Sequence, residues 1–135
     1  MKNRISLSLS RLLLLIRIDA QRVFERIKYR ESEYMHTFSL KRTRDHFDNI
    51  FKNRYEELSI NELRECSEEV IAGLDEFYTS VDDMCWYLNN TEDMPGTIND
   101  TVESFIRNIE DSHQKLQLYI SAEFELQSEE ESRIE

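Results

Sequence analysis

An apolar repeat between Ile60 and Leu88 constrains the fold of this chain more than any other feature. Its nine positions are spaced alternately three and four residues apart: Ile60, Leu63, Ser67, Val70, Leu74, Phe77, Val81, Met84 and Leu88. Eight of the nine are apolar, and on an α-helix they form one continuous stripe. Because one helix cannot bury such a stripe against itself, the repeat predicts a helix that packs on other helices.

The composition favours long helices and excludes several function classes. The 135 residues contain only two glycines and one proline, and 33% of them are charged. This leaves little material for tight turns and none for the glycine-rich loops that bind nucleotide phosphates. The length fits one domain, and the 39% hydrophobic content is enough for a modest core.

Two further sets of apolar residues precede the first stripe in the sequence. The N-terminal stripe predicts one long helix, and it consists of Ile5, Leu9, Leu12, Ile16, Ala20, Val23, Ile27, Tyr34 and Phe38. A second set follows on roughly the opposite face, namely Leu40, Phe47, Ile50, Phe51 and Leu58. The first helix therefore either breaks within residues 37–44 or continues as a rod with a second apolar face.

Capping residues mark where the later helices begin. Ser59 followed by Glu62 is a capping box, which predicts a helix start near Ile60. After a loop over residues 89–96, Thr97 is the predicted cap of the last helix. We expect that helix to fray after Gln127, because glutamates near a helix C-terminus oppose its dipole.

The resulting fold prediction is all-α, an elongated antiparallel bundle of three long helices, or four if the first helix splits. Residues 1–127 form the helical domain, and residues 128–135 form a frayed acidic tail. The unequal predicted helix lengths leave apolar surface that another chain could cover, so we expect an oligomer or a protein partner.

Charge is distributed unevenly along the chain. The net charge is −11, but residues 1–64 contain fourteen Lys and Arg against nine Asp and Glu, whereas residues 65–135 contain three against nineteen. An antiparallel arrangement of the basic first helix beside the acidic later ones would neutralise both. The acidic half repels nucleic acid, so we do not expect a nucleic-acid partner.

The two cysteines favour a cytoplasmic setting. Cys66 and Cys85 are nineteen positions apart on one predicted helix, too far to bridge within the chain. Residues 1–18 also carry basic residues and no acid, so an organelle-targeting segment remains an alternative. No run reaches the ~20 apolar residues of a membrane span.

The leading functional hypothesis is a non-enzymatic helical interaction module, such as an adaptor, chaperone, immunity or inhibitor subunit, with no cofactor. Helix stripes and exposed aromatic anchors are the features that commonly carry such docking. The predicted partner-binding residues are Leu9, Leu12, Ile16, Tyr34, Phe38, Trp86 and Tyr87.

A metal site is one alternative. Glu33 precedes His36, and Glu110 precedes His113, by three residues each. Paired Glu-x-x-His motifs on facing helices are typical of di-iron carboxylate bundles. The two pairs would then supply part of a ligand set.

A ribonuclease site is the other alternative. Arg107 and Asn108 followed by His113 resemble the R-x(4–6)-H signature of HEPN-type ribonucleases, which are small, all-helical and dimeric. The resemblance covers seven residues. It implies that Arg107 and His113, with Asn108, would line an RNA-cleaving site at a dimer interface, in a ribonuclease or in a toxin–antitoxin component.

Overall fold

The protein is all-helical over the residues that its computed structural model describes. The backbone is described for residues 2–31, 34, 44 and 47–134, and the side chains for 8–31, 34, 44 and 47–126. This part of the chain contains no strand. Its elements are α1 (Lys2–Tyr29), α2 (Phe47–Phe51), a 3₁₀ turn (Tyr55–Glu57), α3 (Ile60–Leu63), α4 (Glu68–Asn90) and α5 (Pro95–Ile134).

The core is formed by one side of each long helix. The predicted stripe of α4 is confirmed, because Val70, Leu74, Phe77, Val81, Met84 and Leu88 are all fully buried. The same holds for the central part of the α1 stripe, where Leu12, Ile16, Ala20, Val23 and Ile27 are buried. On α5 the buried set includes Ile98, Val102, Ile109, Leu116 and Ile120.

Helices α4 and α5 pack side by side and run in opposite directions. Ser67 meets Glu123 at one end of the pair, Glu76 lies 3.7 Å from Lys115 in the middle, and Tyr87 packs on Phe105 at the other end. Helix α1 lies against α5, also in the opposite direction. The Phe24 ring stacks on His113 at 4.7 Å, and Lys28 forms a 3.3 Å ion pair with Glu110.

Gly73 allows α4 and α5 to approach closely. A Cβ at this position would lie 3.1 Å from the Tyr119 ring and 3.2 Å from a Leu116 methyl group. Glycine inside a helix costs about 1 kcal/mol relative to alanine, and the close contact explains why it is tolerated here.

The helix predicted to begin at Ile60 is in fact two helices. Ser59 does cap α3, since its hydroxyl accepts the Glu62 N–H at 3.1 Å, but α3 ends at Leu63 and Ile60 is 83% exposed. The long helix α4 begins after Ser67, whose side chain accepts the Val70 N–H at 3.3 Å. Ser67 is therefore a cap and not a member of the stripe, because its hydroxyl satisfies a backbone donor at the helix start.

Three other boundaries differ from the prediction. Helix α1 ends at Tyr29, and Glu31 and Tyr34 are again helical. Phe38 and the predicted break region, apart from Arg44, lie outside the described residues. Helix α5 begins at Pro95, not after Thr97, because proline is well suited to a first helical position. It continues to Ile134, beyond the predicted fraying point at Gln127, since glutamate is a good helix former.

The three long helices differ in length. Helix α5 has 40 residues, α1 has 28 and α4 has 23. At 1.5 Å per residue, α5 is about 60 Å long and α4 about 35 Å. Among the helices that the structure describes, α5 is the longest.

Candidate interaction groove

A groove of about 580 Å³ lies between α1 and the segment of residues 52–58. Its apolar lining comes from Leu15, Ile16, Ile18 and Leu58. The polar lining consists of Asp19, Arg22, Arg26, Lys52, Asn53, Arg54, Glu57 and two tyrosines, Tyr55 and Tyr78. We refer to this site as the α1 groove.

Asp19 joins the two walls of the α1 groove to α4. One carboxylate oxygen accepts the Tyr78 hydroxyl at 2.6 Å, and the other accepts the backbone N–H of Arg54 at 3.1 Å. Burial, reinforced by the bond to Asp19 and its negative charge, raises the pKa of Tyr78 well above the usual value. Tyr78 therefore stays protonated and acts as a permanent donor.

Two stacked tyrosine rings form one end of the lining. Tyr55 lies parallel to Tyr78, with 4.2 Å between ring centroids and 3° between ring planes. Burial and the nearby charge of Asp75 raise the pKa of Tyr55. The stacked pair holds the 3₁₀ turn against α4 through contact between two aromatic rings.

Arg26 has a positioning role in the same wall. Its guanidinium donates from Nε to the Ile50 carbonyl at 3.2 Å and from Nη2 to the Lys52 carbonyl. These bonds satisfy carbonyl groups at the end of α2, where a helix leaves its last acceptors without internal partners. Arg26 therefore fixes the start of the 52–58 segment relative to α1.

The other three cations of the α1 groove remain available. Arg22, Lys52 and Arg54 are exposed, and no carboxylate among the described residues forms an ion pair with any of them. Only Glu57 and the engaged Asp19 contribute negative charge to the lining. The α1 groove is thus positively charged on a chain whose net charge is −11.

Apolar side chains lie exposed beside the α1 groove. Leu14 is 49% exposed, Leu15 59% and Ile18 39%. They occupy the side of α1 opposite the buried residues, because the run from Leu12 to Ile16 places apolar residues all around the helix. This side of α1 was missed by the sequence prediction, which followed only the buried stripe.

The predicted partner-binding residues fall into different environments. Leu12, Ile16 and Tyr34 are buried in the core of the chain itself, and Ile16 also contributes to the lining of the α1 groove. Leu9 is half-buried against the same core, and Phe38 lies outside the described residues. The burial has a simple reason, since α5 and α2 cover this stripe of α1.

The Trp86 and Tyr87 pair is divided between surface and interior. Trp86 is 68% exposed. Tyr87 is half-buried, packs on Phe105 at 5.5 Å and donates its hydroxyl to Asp93 at 2.8 Å. Tyr87 therefore organises the loop between α4 and α5, and only Trp86 of this pair presents a large exposed surface.

The residues that resemble the ribonuclease signature do not meet on one surface. His113 is buried between the rings of Phe24 and Phe77, and its Nε2 lies 3.1 Å from the Gln117 amide nitrogen. Burial lowers the pKa of His113, although Glu25 and Glu110 act in the opposite direction. Arg107 and Asn108 are exposed, and six positions along a helix place Arg107 about 120° around α5 from His113.

The predicted metal ligands can be placed only in part. Glu33 and His36 lie outside the described residues. Glu110 pairs with Lys28, and His113 faces aromatic rings. Within the residues whose side chains the structure describes, no three His, Cys, Asp or Glu groups come close enough together to hold a metal ion.

Both cysteines are free thiols. Cys66 is buried and Cys85 half-buried. Burial, followed by the charge of Glu123, raises the pKa of Cys66 to about 11, and burial together with Asp48 has the same effect on Cys85. Such protonated thiols are poor nucleophiles.

Comparisons with known protein families, with curated proteins and with solved structures found no match to this chain. In the described part of the chain, no helix combines the length and apolarity needed to cross a bilayer.

Proposed function

We propose that this protein is a non-enzymatic helical interaction module, an adaptor, chaperone, immunity or inhibitor subunit, that docks a protein partner on the α1 groove. The observation that carries the proposal is the exposure of Leu14, Leu15 and Ile18 beside a groove that the described residues leave open. Grouped exposed apolar side chains with a charged rim are typical of docking surfaces.

The architecture supports the same proposal. We infer that α1, α4 and α5 form an elongated antiparallel bundle, because α1 and α4 both run opposite to α5 along their contacts. A bundle of this kind presents a rigid surface that does not need to refold on binding. The two free cysteines support a cytoplasmic setting for it.

Site-specific photo-crosslinking in the producing organism tests the proposal. A benzophenone amino acid replaces Leu15 in the α1 groove, and in a second variant it replaces Leu118, which is 69% exposed on α5. The expected result is a discrete protein adduct at position 15 that disappears when Ile18→Asp is added. Equal labelling at both positions, or an adduct that survives Ile18→Asp, contradicts the proposal.

A further inference from the structure

The charge of the α1 groove differs from that of the rest of the molecule. Arg22, Lys52 and Arg54 are its available cations, whereas helix α4 contains six acidic residues and no basic one. A partner segment that enters the groove comes within one Debye length, about 8 Å at physiological salt, of these cations. Their local charge, rather than the net charge of the chain, therefore selects the segment.

The apolar lining limits the partner further. Leu15 and Ile18 are one helical turn apart on α1, and Arg22 follows one turn later. Leu58 lies on the opposite wall. This order fits an occupant with apolar side chains along one stripe and carboxylates beside it, which is the pattern of an acidic amphipathic helix.

We infer that the occupant of the α1 groove is an acidic amphipathic helix of a partner protein, with leucine-type residues against Leu15, Ile18 and Leu58 and carboxylates against Arg22, Lys52 and Arg54. The inference rests on the proposed docking function and specifies the chemistry of the partner. Carboxylates suit this rim because they accept bidentate hydrogen bonds from a guanidinium. Because these cations attract the carboxylates of the partner, raising the salt concentration is expected to weaken the association.

The competing occupants fit the observations less well. An anionic membrane or a nucleic acid extends beyond the groove and meets the acidic residues that give the chain its net charge of −11. A flat bilayer also cannot enter a concave groove with Leu58 and the tyrosine pair on its far side. A short helix avoids both problems.

Selection from a random phage-displayed library of helical peptides, about 16 residues or 24 Å long, tests the inference with the full chain as bait. The expected peptides combine leucine-type residues with a strong excess of Asp and Glu. Their affinities are then measured by fluorescence anisotropy with synthetic labelled peptides. Raising NaCl from about 50 mM to about 500 mM shortens the Debye length roughly threefold and is expected to weaken binding at least about tenfold.

Matched variants separate the two proposals. The double variant Arg22→Glu with Lys52→Glu is expected to weaken binding at least about tenfold. The control, Arg17→Glu with Arg64→Glu, makes the same charge change at exposed positions outside the groove lining and is expected to leave affinity unchanged. Leu15→Asp is expected to abolish binding and Leu118→Asp to preserve it.

Each of the remaining outcomes contradicts the acidic partner, the docking function or both. Neutral or basic peptides that lose binding in Leu15→Asp keep the docking function and overturn the acidic partner. Peptides that bind Leu15→Asp as well as the parent chain overturn both. Binding of phosphatidylserine vesicles or single-stranded RNA that depends on Arg22 and Lys52, or dimerisation in the ultracentrifuge that depends on Leu15, overturns the acidic helix as occupant.

Discussion

The carboxylate of Glu123, late in α5, accepts the backbone N–H of Ser67, with 3.1 Å from the nitrogen to each oxygen. Ser67 is the residue that caps α4. One helix therefore holds the start of another, and the negative charge lies near the positive end of the α4 dipole.

Replacing Glu123 with alanine is expected to lower the free energy of unfolding by about 1.5 to 3 kcal/mol, because a hydrogen bond to a charged acceptor is lost in a mostly buried place. Urea denaturation followed by far-UV circular dichroism measures the change. Glu125→Ala, two positions along the same helix and exposed, is the matched control and is expected to have little effect. Equal stability of the two variants would show that the bond contributes nothing.

The hydrogen bond between Tyr78 and Asp19 is expected to stabilise the walls of the α1 groove. Tyr78→Phe keeps the ring that stacks on Tyr55 but removes the 2.6 Å hydrogen bond to Asp19. The expected loss of stability is about 1.5 kcal/mol. Tyr29→Phe, at a position that is 80% exposed, should lose less than about 0.5 kcal/mol. If both variants unfold at the same urea concentration, Asp19 does not anchor the groove through Tyr78.

Substitutions at Gly73 test how closely α4 and α5 approach each other. Gly73→Ala gains helix propensity worth about 1 kcal/mol but crowds Tyr119 and Leu116, so the net change is expected to stay within about 1 kcal/mol. Gly73→Leu is too large for the contact and is expected to cost about 3 kcal/mol. The same denaturation measurement is used.

The exposed neighbour Ala72 isolates the propensity contribution in this helix. Ala72→Gly is expected to cost about 1 kcal/mol. Stability of Gly73→Leu equal to the parent chain would mean that the two helices are farther apart than described.

The titration of His113 is expected to make the free energy of unfolding depend on pH. Because burial lowers its pKa from 6.5 in the native state, the unfolded chain binds a proton more readily than the folded one. His113 therefore contributes stability that is fully present above about pH 6.5 and is lost as the pH falls toward the lower, folded-state pKa.

The variant His113→Gln removes this titration. The fall in unfolding free energy between pH 7.5 and pH 5.5 is expected to be smaller in His113→Gln than in the parent chain, as measured by urea denaturation at each pH. Parallel pH profiles would show that His113 titrates alike in both states.

Periodicity predicted the helical class and most of the core, because a helix that buries one side has apolar residues at regular intervals of three and four. The periodicity wrongly placed Ser67 inside the buried stripe. A serine that occurs at the spacing of an apolar repeat looks like a tolerated substitution at a buried position. The two glutamates directly after it, Glu68 and Glu69, were the available signal of a helix start.

The α1 groove could not be predicted in the same way. It depends on Asp19 meeting Tyr78 and Arg54, which are 59 and 35 residues away in sequence. Such contacts follow from tertiary packing and have no period. The exposed Leu14 and Leu15 were visible as part of an uninterrupted apolar run, but only the structure shows which of its members are buried.

The packing of α1 on α5 has a consequence for synthesis on the ribosome. Phe24 leaves the ribosome well before His113, the residue on which its ring stacks. At elongation rates of about 5 to 20 residues per second, the delay is roughly 5 to 20 s. During that interval the nascent α1 lacks its α5 partner, so the apolar side of α1 that α5 later covers stays exposed until α5 has been synthesised.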